Sequence, residues 1–356
     1  NINAGGGGVN RNVIINGAMN VAQRGTQTGH SSGYTLDRWN VYTTSAARFT
    51  ISQDSDVPTG EGFANSIKLD VTTEDDSLAS SDFGVFRTIL EGQDLQRFCK
   101  GTSNAKPFAL QFFIKSTVTG TYAIELVDSD NSRAVTKTYT VDSANTWEKK
   151  TITFPADTTG AFTDDNNASL FIQWGLIMGD NYTSGTASGS WESQTTANRF
   201  VGQVNAVNST SNNIFFTGIQ LEVGQNPTSF EHEPFERTLL KCQRYYYKIP
   251  NSGTYTRFGH GENLTTTASE IHFPFPVKMR SEPSVETTGT VSNYALYNSN
   301  SANACTSIIV ESGGHLSPEV GVLDVEIGSG SITDGGSSQL MANNNSNAFI
   351  AFSAEL

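Results

Sequence analysis

The side chains that could do chemistry in this chain are paired carboxylates, scattered histidines, and aromatics set beside amides. Asp75 with Asp76, Asp128 with Asp130, and Asp164 with Asp165 are close enough in sequence to act as acid and base or as calcium ligands. Each pair lies among Gly, Asn or Ser, where aspartate accepts turn hydrogen bonds, so a turn role is expected of all three. Glycosidic chemistry needs two carboxyls at a set separation across a cleft, which neighbours in sequence do not guarantee. Asp128-Ser129-Asp130-Asn131 opens like a calcium loop but lacks the glycine and the closing glutamate of one. His30, His232, His260, His272 and His315 fall at neither metal-ligand nor triad spacing, and no Gly-X-Ser-X-Gly element is present. No catalytic residue, metal site or cofactor is expected.

Aromatics remain as candidates, because sugar rings stack on Trp and Tyr while amides and carboxylates bond the hydroxyls. Trp39, Trp147 and Trp174 sit in apolar strand patterns and are expected in the core. Tyr294 and Tyr297, with Asn298 and Asn300, occupy a polar tip and are the first choice for a glycan site. Tyr182 and Trp191 are the second choice. They lie in a Gly, Ser, Thr and Asn-rich stretch, 179–212, too long for an ordinary connection.

The elements that must position these residues are short strands. Runs at Ala47–Ser52, Ser66–Val71, Phe83–Leu90, Phe108–Ser116, Gly120–Asp128, Thr136–Asp142, Trp147–Phe154, Ser169–Met178 and Asn213–Val223 are separated by turn residues. In Phe108-Ala109-Leu110-Gln111-Phe112-Phe113-Ile114 the even positions make one apolar face, and Ile152 and Phe154 repeat the device. The pattern predicts an all-β chain whose first domain, 11–232, is a sandwich of two antiparallel sheets. Four consecutive glycines make residues 1–10 a linker. From Pro234 to Tyr247 the spacing of Phe235, Leu239, Cys242 and Tyr246 is helical, predicting a connecting helix over 233–248 that ends before Pro250. A second, smaller β-sandwich is expected over 249–356.

Several motifs in order give a more specific reading. Ile15-Asn16-Gly17-Ala18-Met19, Gln23-Arg24-Gly25 and Tyr34-Thr35-Leu36-Asp37-Arg38-Trp39 come first, then Asn213-Ile214-Phe215-Phe216-Thr217-Gly218-Ile219-Gln220-Leu221-Glu222-Val223 and Cys242-Gln243-Arg244-Tyr245-Tyr246-Tyr247. Together they resemble a jelly-roll module, similar to carbohydrate-binding modules, of the tail and capsid fibre proteins of tailed double-stranded DNA bacteriophages. The resemblance spans residues 10–248. It implies a virion location, synthesis in the bacterial cytoplasm, trimer assembly, neighbouring tail or capsid proteins, and attachment to a host-surface polysaccharide. Phe235, Leu239 and Tyr246 would be the apolar contacts between copies. The carboxylates that hold a structural calcium in similar modules are missing at Asn16–Asn20 and Phe216–Ile219.

Composition narrows the class. Only 16% of the 356 residues are charged and the net charge is −13, so a basic phosphate-binding surface is not expected, nor is attraction to anionic membranes. No apolar run is long enough to span a bilayer. Cys99, Cys242 and Cys305 are odd in number and widely spaced, predicting three buried thiols rather than a disulfide framework. The expected function is a non-enzymatic fibre subunit that recognises host glycans. A glycan depolymerase or glycosidase-associated module, and a purely structural decoration protein, are the rivals.

Overall fold

The computed structural model describes residues 10–299, 301–309, 316–328 and 330–356. The chain is all-β and divides into two compact units, Asn1–Thr238 with Leu356, and Leu239–Glu355. The glycine run 5–8 lies outside the described residues.

In the first unit a six-stranded sheet runs, in spatial order, Gln27–His30, Arg48–Asp54, Ser66–Thr73, Asn213–Val223, Phe108–Ser116, Glu148–Phe154. A seven-stranded sheet runs Glu192–Ser193, Arg133–Val141, Gly120–Asp128, Ala168–Met178, Phe83–Glu91, Asn40–Thr43, Ser32–Tyr34. All the registered pairings within these sheets are antiparallel. Strands adjacent in sequence repeatedly change sheet, as a jelly roll requires. The core lies between the layers. Phe108, Leu110, Phe112 and Ile114 are fully buried, and Phe112 meets Trp174 of the other sheet, which packs in turn on Phe86 and on Trp39.

Trp39 and Trp174 are core as expected, but Trp147 is not. It precedes its strand, is half-buried, and donates its Nε1–H to Asp56 at 2.8 Å. Cys99 likewise departs from expectation. It sits in the left-handed region (φ 50°) at the end of a 3-10 turn and is half-exposed, whereas Cys242 and Cys305 are buried.

The motifs at the two ends of this unit meet. The Ile219 N–H donates to the Gly17 carbonyl at 2.9 Å, and the Trp39 Nε1–H donates to the Asn16 carbonyl at 3.0 Å. Asp37, fully buried, accepts from the Gln23 N–H at 2.7 Å, and Asn16 donates to the Asp37 carbonyl. These residues build a hydrogen-bonded seam that closes the sandwich.

The helix covers Phe235–Gln243, shorter than the expected 233–248. Tyr246–Lys248 instead forms a strand paired with Ile350–Ser353, where aromatic residues are favoured. Tyr246 is therefore buried by its own unit, with its hydroxyl 3.2 Å from Glu286, and is not a contact between copies. Phe235 and Leu240 are exposed, and Leu239 is half-buried.

The second unit is not a second sandwich. Six strands, Arg257–Asn263, Ala268–Pro274, Val320–Ile327, Ser301–Ile309, Tyr294–Asn298 and Ser337–Ala342, close into a barrel. A three-stranded sheet of Tyr246–Lys248, Ile350–Ser353 and Ser284–Thr287 accompanies it. The strand Arg257–Asn263 escapes sequence reading because Gly259 and Gly261 break its alternation. Both allow close approach: a Cβ on Gly261 would meet the Glu270 carbonyl oxygen at 1.6 Å.

Candidate functional site: a cleft on the outer face of the seven-stranded sheet

Side chains alternate across a strand, so the residues between the core positions point away from the sandwich. In Phe83–Glu91 the inward set includes Phe86 and Leu90, which leaves Arg87 outward; in Ala168–Met178 Leu170, Ile172 and Trp174 face in and Phe171 and Gln173 face out. Cross-strand register brings these together. Gln173 pairs with Arg87, Asn40 pairs with Arg87 on the other side, and Tyr42 pairs with Val85. The segment 179–205 then folds over part of this face. Phe200 is fully buried there, in a small cluster with Phe83, Val85, Ala123 and Met178, and Tyr182 packs against Phe83 at 5.0 Å.

What stays open is a cleft of about 400 Å³, within the size range of small-ligand sites. Its walls include Tyr42, Phe171 and Tyr182 as aromatics, Gln173 as an amide, and Arg87 and Arg199 as cations. The two guanidiniums differ. Arg199 is clamped by Glu125, whose carboxylate accepts from Nε at 3.0 and 3.1 Å and from Nη2 at 2.8 Å. Glu125 has no exposed side-chain surface, and burial pushes its carboxyl above the ordinary glutamate value although Arg199 opposes this. Arg87 instead lies near two aromatics, its Cζ 5.1 Å from the Tyr42 ring centroid and 5.6 Å from that of Phe171, and its Nε–H donates to Asn40 at 3.0 Å.

A second polar cluster in the same unit is closed rather than open. The Lys100 ammonium is fully buried, 2.5 Å from Asp128 and 3.1 Å from Asp157, and donates to the carbonyls of Thr159 and Gly160 at 2.9 and 2.7 Å. Trp191 lies beside it, with Lys100 Nζ 5.0 Å from its ring and its own Nε1–H donated to the Pro155 carbonyl at 2.8 Å. Four oxygens around a cation form the kind of shell a metal ion would take, but here the cation is a side chain. Asp128 thus serves as more than a turn residue, and Asp130 departs from expectation too, accepting from the N–H of the sequence-distant Thr163, while Asp165 accepts a turn N–H bond from Asn167 as expected. Among the described residues no group of three His, Cys, Asp or Glu could hold a metal ion.

The expected site residues do not converge. Tyr182 lines the cleft, whereas Trp191 is engaged at the Lys100 cluster. Tyr294 is fully buried in the barrel core, its hydroxyl donating to the Phe349 carbonyl at 2.5 Å and accepting from the Thr288 N–H at 3.1 Å. Its inward neighbour Leu296, two positions on, was the signal that Tyr294 faces the core. Tyr297 is half-buried under Arg257 at 4.4 Å, and Asn298 donates to the Ser337 carbonyl at 2.6 Å. Asn300 lies outside the described residues. Sequence reading missed Tyr42, Arg87, Phe171 and Arg199. An arginine interrupting the apolar run Phe83–Leu90 was the available clue.

No family model matches this chain, and no curated protein matches it. Solved structures resemble it distantly. The enzymatically active domain of tailspike protein 4 of bacteriophage CBA120 is 15% identical over 60% of this chain, which spans 22% of that one, with a TM-score of 0.33. The family 11 carbohydrate-binding module of Clostridium thermocellum, solved with a β-1,3-1,4-mixed-linked tetrasaccharide, is 11% identical over 58% of this chain and 98% of its own, with a TM-score of 0.29. The xylanase 10B modules of the same organism, solved with xylohexaose, are 12% identical over 58% of this chain and 30% of theirs, with a TM-score of 0.29. Likenesses at this level leave the functional question to the chain's own residues.

Proposed function

We propose that the chain is a non-enzymatic fibre subunit of a tailed-phage virion that binds a host-surface polysaccharide through the cleft over the seven-stranded sheet. The observation that carries the binding half is the cleft itself. Tyr42, Phe171 and Tyr182 offer stacking surfaces, and Gln173 and the guanidiniums offer directional donors, in an open groove rather than a sealed core. Such a mixture suits a ring with one apolar face and a hydroxyl-bearing edge. Carboxylates near the cleft are spoken for: Glu125 is committed to Arg199.

The virion half rests on the ordered motifs at 15–39 and 213–247 and their resemblance to fibre modules. Trimer assembly draws on the same resemblance, and on Phe235 and Leu240, which are 51% and 44% exposed on the helix. Such apolar side chains are suited to burial by neighbouring copies.

Labelled polysaccharide from bacterial envelopes tests the reading directly. Retention of intact chains by the wild-type protein, lost in Tyr42→Ala and Tyr182→Ala, is the expected result. Shortened chains would make the protein a depolymerase, and no retention on any polysaccharide would reject glycan binding. Mass photometry tests the assembly separately, with a stable monomer at micromolar concentration rejecting the trimer.

A further inference from the structure

The cleft carries a charge that its own residues do not neutralise. Among the described residues Arg87 makes no ion pair, and its hydrogen bond to Asn40 uses Nε, leaving the two terminal nitrogens without a protein acceptor. Arg199 and Glu125 cancel one another, so the walls of the cleft hold one excess positive charge. This occurs in a chain of net charge −13. A half-buried guanidinium without a counter-charge is costly unless something else supplies one. Burial holds the Arg87 guanidinium below its ordinary value, and the nearby Arg199 charge acts in the same direction, while Tyr34 and Tyr42 oppose it. The group nonetheless stays protonated, since arginine does not give up its proton in proteins.

Geometry selects the kind of anion. Tyr42 and Phe171 both lie within cation–π range of the guanidinium, and its Nε edge is bonded to Asn40. A guanidinium fixed in this way presents a planar fork, which matches the two coplanar oxygens of a carboxylate. We propose that the cleft recognises an acidic sugar, a uronate or sialate unit whose carboxylate is bound by Arg87 while its ring stacks on Tyr42 or Tyr182. This rests on the glycan-binding reading above and names the sugar class for that same site. The covered Glu125 completes the arrangement by holding Arg199 in place without exposing its own negative charge to the ligand.

The test uses the whole chain on an array of uronate- and sialate-bearing polysaccharides. Each is printed beside its carboxyl-reduced counterpart, with neutral dextran and dextran sulfate as further spots. Wild-type protein should be retained on at least one carboxylated polymer and bind its reduced counterpart at least tenfold more weakly. Arg87→Gln should lose that preference, Arg87→Lys should recover part of it, and unchanged near-ultraviolet circular dichroism would show that both variants fold. Equal retention on carboxylated and reduced polymers overturns the acidic-sugar inference, as does an acid preference that survives in Arg87→Gln. If binding is confined to neutral polymers and is lost in Tyr42→Ala, glycan binding stands and the acidic class falls. A preference for dextran sulfate over every carboxylate also overturns it, and no retention on any spot removes the glycan reading itself.

Discussion

Gly17 and Ile219, two hundred residues apart in sequence, share a backbone contact that leaves no room for a side chain: the Ile219 N–H donates to the Gly17 carbonyl at 2.9 Å, and a Cβ on Gly17 would lie 2.0 Å from the Ile219 carbonyl oxygen. The closing strand therefore seats directly on the opening motif. Gly17→Ala should destabilise the first unit by about 2 kcal/mol or more, since backbone must move to admit the methyl group. Gly253→Ala, where nothing lies within 4 Å, should stay within about 0.5 kcal/mol of wild type. Urea unfolding followed by tryptophan fluorescence and circular dichroism measures both.

Lys100 supplies the positive charge that Asp128 and Asp157 require in a dry site. Removing one partner of such a cluster strands the others, so Lys100→Met should cost about 3–5 kcal/mol. The loss should shrink in acid, as Asp157 takes up its proton. A change under about 1 kcal/mol would mean that solvent reaches the carboxylates after all.

The same cluster and Glu125 respond to acid with opposite signs. Burial alone would raise the Asp157 carboxyl, but hydrogen bonds from Arg133, the Thr159 N–H and Lys100 hold it below its ordinary value. Its stabilising contribution is complete above the unfolded value, about 4, and is lost as pH falls through the lower folded value. Glu125 is shifted upward by burial, so its contribution is complete below its unfolded value and is lost as pH rises through the folded one. Stability measured from pH 2 to 7 should show the gap between wild type and Asp157→Asn closing below about pH 4. Over the same range Glu125→Gln should gain on wild type as pH rises. A pH-independent gap in both variants would contradict these assignments.

Thiol reactivity separates the three cysteines. Burial pushes the Cys305 thiol up to about 12 despite the Leu296 hydrogen bond, and Cys242 is fully buried. Cys99 is half-exposed, whereas the other two are buried. A thiol-specific reagent at pH 8 should label Cys99 in the native protein and reach the other two only after unfolding, because the thiolate is the reacting form. Mass mapping that finds Cys305 labelled as fast as Cys99 would show that its site opens.

How much could be read in advance depends on how local the signal is. The alternation of Phe108, Leu110, Phe112 and Ile114 marks an inner face, and all four are fully buried. The barrel was hidden because the strand Arg257–Asn263 carries glycines at the close approaches that closure demands, and glycine reads as a turn. The cleft was hidden for another reason. Tyr42, Arg87, Phe171 and Tyr182 come from separate elements, and cross-strand register, not any single strand, sets them side by side. Parity could have flagged Arg87 as outward-facing, but its neighbours required the sheet order. Tyr294 and Tyr297 show the limit of a short strand, where one step of parity decides between core and surface.

That step of parity can be measured. Tyr294→Phe removes a hydroxyl that donates to the Phe349 carbonyl and accepts from Thr288, taking a partner from two part-buried backbone groups. It should destabilise the second unit by about 1–3 kcal/mol and leave polysaccharide retention unchanged. Tyr182→Ala should do the reverse, because Tyr182 is only partly buried at the edge of the small cluster around Phe83 while it walls the cleft. Retention and unfolding recorded on both variants form a crossed comparison in which a general loss of folding cannot imitate a lost site. If Tyr294→Phe abolished retention with unfolding unchanged, recognition would return to the barrel tip; if Tyr182→Ala left retention intact, the cleft would have to bind through Tyr42 and Phe171 alone.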